Sequence, residues 1–144
     1  MTQGNKELLL KDLCARLPYG VKFACNKNVY TAKGLDLIVT DEGDWEYAVT
    51  AKGIAPIEID FIKPYLFPLS SMSEEQKNEL CRMDAFVNSF GQICFSTYDD
   101  YGHELMPTFE NAIRVENWLN KNNFDYRGLI PKGFANDATG LNIY

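Results

Sequence analysis

The sequence has one histidine, His103, and four cysteines, none of them in a CxxC pair. Without such pairs, zinc-ribbon and thioredoxin-type spacings are excluded. A single histidine confines any His-based catalytic triad to His103. No phosphate-binding G-x-x-x-x-G-K-[S/T], dinucleotide G-x-G-x-x-G or nucleophile-elbow G-x-S-x-G occurs. Apolar stretches are only a few residues long, against about 20 needed to span a bilayer. The segment Met1 to Glu7 lacks the charged and apolar regions of a secretory signal. With unpaired thiols, these absences predict a cytoplasmic protein with reduced cysteines. A basic run is also missing. The chain has 14 Lys/Arg against 20 Asp/Glu, a net charge of −6. That sign disfavours phosphate backbones as partners, although a local basic patch would still be allowed. The spaced lysines Lys22, Lys27, Lys33, Lys52 and Lys63 read as solvated or edge-protecting charges on strands.

What is present is a core-forming composition: 144 residues, 46% hydrophobic and 13% aromatic. Such a chain is not disordered, and its length predicts a single domain over 1–144. The acidity is uneven. Residues 1–72 hold eight basic and nine acidic residues, and 73–144 hold six and eleven. The half up to residue 72 is thus the expected meeting point for any phosphate-bearing partner.

The spacing of Leu9, Leu13 and Leu17 predicts a helix over 5–17, with Leu10 and Cys14 beside that stripe and Lys6, Lys11, Asp12 and Arg16 opposite. Residues 21–62 alternate with period two and read as an antiparallel meander of four or five strands, able to curl into a small barrel. Asn26-Lys27-Asn28 and Asp41-Glu42-Gly43-Asp44 are its turn signals. Ile57, Ile59 and Phe61 form its last alternation. Lys63–Met72, with two prolines, is expected to be a packed connector without central-strand pairing. Ser73 and Gln76 form a capping box for a helix whose buried face is Leu80, Met83 and Val87. Gln92–Tyr98 reads as a strand, and Thr108 caps a helix to about Asn122. Phe124–Tyr144 reads as ordered loop or turns. The fold class expected is α+β, with an N-terminal helix, the meander, and two further helices packed on it.

Two kinds of candidate site follow. Asp99, Asp100, His103 and Glu104 place the only imidazole among three carboxylates, the ligand types of a metal site. They fall within six residues and cannot easily surround an ion, and an acidic turn using Gly102 accounts for them more simply. Asp41, Glu42 and Asp44 are a second acidic turn. The aromatics Trp45, Tyr47, Phe61, Tyr65 and Phe67 form the other group. Such residues fill a core, build a protein interface or stack bases; Trp45, Tyr47, Tyr65 and Phe67 are the candidate interaction residues. Cys14, on a predicted helix, and Cys25 and Cys94, in predicted strands, are expected to be small core residues. Arg127 is expected to pair with one of the excess carboxylates.

Three stretches carry a resemblance. "LLLKDLCARLPYGVK" (8–22), "KPYLFPLSSMSEEQ" (63–76) and "NWLNKNNFDYRGLIPKGFA" (117–135) resemble segments of small uncharacterised proteins common in gut Bacteroidetes genomes and their phages. The resemblance implies a phage or mobile-element context. It brings no activity, cofactor or site residue. The reading that follows is a non-enzymatic protein-interaction module whose partner is another protein. A nucleic-acid-binding small β-barrel and a metal-dependent enzyme using Asp99, Asp100, His103 and Glu104 are the alternatives.

Overall fold

Each of the three α-helices starts at a hydroxyl residue whose side chain accepts a hydrogen bond from a first-turn N–H. A computed structural model describes all residues, 1–144. Its elements are α1 (Gln3–Arg16), β1 (Lys22–Cys25), β2 (Asn28–Val39), β3 (Trp45–Ala51), β4 (Ile57–Glu58), β5 (Lys63–Leu66), α2 (Glu74–Arg82), β6 (Ala85–Val87), β7 (Ile93–Phe95), α3 (Phe109–Lys121) and β8 (Asn136–Asp137). Thr2, Ser73 and Thr108 are the caps. At α2 the capping box is complete: Gln76 N–H donates to Ser73 Oγ, and Ser73 N–H donates to Gln76 Oε1. The fold class is α+β.

The chain forms two compact units, one of Met1–Leu66 with Arg127–Tyr144 and one of Phe67–Tyr126. The first holds α1 and a six-stranded sheet of order β4-β3-β2-β1-β5-β8, antiparallel except for the β5–β8 pair. Its core includes Leu9, Leu13, Val21, Phe23, Val49, Ile62, Leu66 and Leu129. The second holds α2, α3 and the β6–β7 hairpin. There Leu69, Met72, Leu80, Val115, Leu119 and Phe124 form a core of their own.

Several elements differ from expectation for local physical reasons. Asp12 and Arg16, expected on the solvent face of α1, have no solvent exposure. The buried stripe is Leu9, Asp12, Leu13 and Arg16, which follows the i, i+3, i+4, i+7 rule with a charge pair in two of its positions. Arg16 Nε and Nη2 donate to the two Asp12 oxygens at 2.8 and 2.9 Å, and Arg127 Nη1 donates to Oδ1 at 2.8 Å. Burial is tolerated because each charge meets its opposite with two-pronged geometry. That buried stripe turns Cys14 outward. Cys14 and Cys81 are exposed and Cys25 and Cys94 are half-buried, so the thiols are not core residues.

The helix that Ser73 caps is also shorter than the spacing of Leu80, Met83 and Val87 suggests. It ends at Arg82, Asp84 adopts φ +56°, and Ala85–Val87 become a strand paired with Ile93–Phe95. Asn88 makes the turn, its Oδ1 accepting from the N–H groups of Phe90 and Gln92. The expected connector is partly a strand. β5 pairs with β1 (Phe23↔Pro64, Ala24↔Lys63), and its ladder with β8 begins at Tyr65↔Asn136. Pro64 therefore has a paired strand on one side only, which suits a residue without an N–H.

Continuing the β1–β5 register would set Lys22 opposite Tyr65. The Tyr144 hydroxyl sits in that gap instead. It accepts from Lys22 N–H at 3.0 Å and donates to Tyr65 C=O at 2.7 Å. Burial pushes its phenol up to about 12. The end of the chain thus fills a missing rung of the sheet.

Candidate interaction surface

β2 and β3 make a two-stranded ribbon. Its loop follows from Thr40 and Gly43: Thr40 N–H donates to Asp44 C=O at 2.8 Å, Gly43 N–H donates to Thr40 C=O at 2.9 Å, and Gly43 takes φ +89°. The positive φ is why glycine serves there. This closure sets the register Val39↔Trp45, Leu37↔Tyr47, Leu35↔Val49. Paired residues, and residues two apart, share a face. All six side chains therefore lie on one apolar face.

That face is divided along its length. Val49 is fully buried in the core with Leu35 packed beside it. The two pairs further out are open to solvent: Leu37 is 51% exposed, Val39 54%, Trp45 69% and Tyr47 45%. The β3–β4 ladder stops at Ala48↔Glu58, because the chain turns into a 3-10 turn at Ile59–Phe61. In that turn Ile59 is buried while Phe61 is 71% exposed, which overturns the expected Ile57/Ile59/Phe61 alternation.

Lys6 of α1 fixes the base of the ribbon. Its Nζ lies 2.8 Å from Asp60 Oδ2 and 2.9 Å from Glu46 Oε1. Hydrogen bonding to Asp60, then to Glu46, holds the ammonium well above the ordinary lysine range. On one side of this knot is a small cleft of about 170 Å³ between α1 and β3, lined by Gln3, Glu7, Leu10, Trp45, Tyr47 and Ile59. On the other is a groove of about 470 Å³. Asp41, Glu42, Asp44, Glu46, Glu58 and Asp60 line it together with Phe61. Lys6 pairs with Glu46 and Asp60, one positive charge shared by two carboxylates, and the other four form no ion pair.

Of the expected interaction residues, Trp45 and Tyr47 come together on this face. Tyr65 is half-buried in β5, and Phe67 belongs to the second unit's core, where it meets the Phe124 ring at a centroid distance of 6.4 Å. Leu37 and Val39 were not singled out from sequence. The signal that decides their register is the loop length: Thr40 pairs with Asp44 around the three residues Asp41-Glu42-Gly43, whereas a four-residue loop 41–44 would set Val39 opposite Glu46.

The His103 region is a turn. Asp99 Oδ1 accepts from the N–H groups of Tyr101 and His103, and Asp99 Oδ2 lies 2.9 Å from His103 Nδ1. The His103 N–H is the main cause of an Asp99 carboxyl held below its usual range. Asp100 and Glu104 are exposed, and no three His, Cys, Asp or Glu side chains gather so as to hold a metal ion. The four-residue cluster is thus one Asp–His contact within a turn. No helix is long and apolar enough to cross a membrane. Comparison with protein-family models, curated proteins and solved structures finds no match.

Proposed function

We propose that the chain is a non-enzymatic protein-interaction module that docks another protein on the outer face of the β2–β3 ribbon. One observation carries this reading: the core-type face of the ribbon continues past the core, leaving Leu37, Val39, Trp45 and Tyr47 in water on a rigid two-stranded support. Exposed aromatic and aliphatic side chains that cluster on a fixed scaffold are the usual anchors of protein interfaces. A cytoplasmic accessory role in a phage or mobile element fits the resemblance in its sequence. The carboxylates beside the ribbon repel a nucleic-acid backbone, so the base-stacking alternative gains nothing from the exposed aromatics.

The test is affinity purification from the native host, with wild-type chain and a Leu37→Ser/Trp45→Ala variant as baits. Both should fold alike, since these side chains contribute little to the core. The expected result is a protein recovered by wild type and lost with the variant. Recovery of the same proteins by both baits, or of none, refutes the reading.

A further inference from the structure

The carboxylates around the ribbon identify what kind of partner it fits. We infer, resting on the docking surface proposed above, that the ribbon's partner is a basic peptide segment with interspersed apolar side chains. Its apolar residues lie on Trp45 and Tyr47, and its Lys or Arg side chains enter the acidic groove.

Three observations converge. First, the cleft beside Trp45 and Tyr47 and the acidic groove share two lining residues, Lys6 and Glu46, so the two surfaces adjoin across that ion pair. A segment bound there meets both surfaces at once. Second, Lys6 is already engaged by Glu46 and Asp60, which leaves Asp41, Glu42, Asp44 and Glu58 without a cation. Four like charges around one groove repel each other until a cation arrives, and a positive segment is steered towards them. Third, Phe61 offers a 71% exposed ring in the wall of the same groove. An aromatic face beside carboxylates suits a guanidinium or ammonium, which it attracts through the ring quadrupole. A second copy of the chain is the wrong occupant, because ribbon-to-ribbon docking would bring two acidic grooves together. A nucleic acid is wrong for the same sign.

Selection of short random peptides displayed against the full chain at low salt tests this. The expected binders are rich in Lys and Arg next to Leu, Phe or Trp. Their affinity should fall about tenfold when the four free carboxylates are neutralised (Asp41→Asn, Glu42→Gln, Asp44→Asn, Glu58→Gln), since each exposed pair is modest but they add. Added salt should weaken binding in the same direction. Trp45→Ala with Tyr47→Ala should abolish it. Binders without basic bias, indifferent to salt and to neutralisation yet lost in the Trp45/Tyr47 variant, overturn the basic partner and leave the docking surface standing. Binders indifferent to the Trp45/Tyr47 variant, or no enrichment at all, overturn both. Circular dichroism confirms that each variant is folded, and the salt series on the wild-type chain reads the charge dependence without any substitution.

Discussion

Replacing Asp12 by alanine should be among the most damaging single changes in this protein, although the position reads in sequence as a solvent-facing charge. Its carboxylate has no solvent exposure and accepts three hydrogen bonds from two arginines. Truncation removes the two carboxylate oxygens that Arg16 donates to, and its guanidinium is equally buried and cannot lose its charge. Breaking a buried ion pair by removing one partner costs about 3–5 kcal/mol, a large part of a total stability of about 5–15 kcal/mol. At about 2 cal/mol/K of unfolding entropy per residue, the melting temperature drops by about 10–17 °C. Urea and thermal titrations followed by far-UV circular dichroism measure this, and amide exchange at Leu9 and Leu13 places the loss in α1. The control is Asp12→Leu with Arg16→Met and Arg127→Leu, which removes all three charges of the network. Apolar replacement of a whole buried ionic group is commonly neutral or stabilising, so the triple variant should recover most of what Asp12→Ala loses. A loss below about 1 kcal/mol for Asp12→Ala, or a triple variant no more stable than the single, would refute the reasoning.

The Tyr144 phenol titrates near 12 when folded against an ordinary 10.0. Between these values the unfolded chain binds fewer protons, so stability is full below pH 10 and falls as pH rises through that window. Tyr144→Phe should be slightly less stable at neutral pH and show a shallower alkaline fall; identical alkaline curves would sink the idea that this hydroxyl fills the rung between Lys22 and Tyr65. For the His103 turn, treatment with EDTA and then addition of Zn²⁺ or Ca²⁺ should leave the melting temperature unchanged. A rise of several degrees that vanishes in His103→Ala would restore the metal reading.

The capped starts of α2 and α3 were legible because a cap is a local contract between a hydroxyl and a backbone N–H two or three residues on, whereas the Thr2 cap sets the start of α1 two residues before the expected 5. Ser73-x-x-Gln76 and the turn Asn26-Lys27 needed no tertiary information. What escaped was set by partners distant in sequence. Asp12 and Arg16 look like a solvated i, i+4 pair until Arg127, 115 positions away, arrives at the same carboxylate. Val87 has the right spacing for the buried face of α2, yet a left-handed Asp84 hands it to a strand that only Ile93–Phe95 can complete. The fate of Pro64 likewise depends on where the β8 ladder begins.

The ribbon shows why charge arithmetic along the chain misleads about surfaces. Counted by halves, the part up to residue 72 is almost neutral, which marked it as the place for a phosphate-bearing partner. In the fold, six of its nine acids line one groove, with Lys6 the one lysine among them. Lys6 is taken up by Glu46 and Asp60, while the loop Asp41–Asp44 folds back beside Glu58, which lies fourteen residues beyond it in the chain. A near-zero sum thus conceals a concentrated negative groove. The same register that gathers these acids aligns Val39 with Trp45 and Leu37 with Tyr47 beyond the reach of the core. Alternation in sequence says only that such residues share a face; whether that face is covered depends on how far the core extends along the strand. Here the core ends at Leu35↔Val49 and the ribbon continues. An apolar face that outlasts its own core, bordered by carboxylates without a cation of their own, is what makes a basic segment the partner we propose.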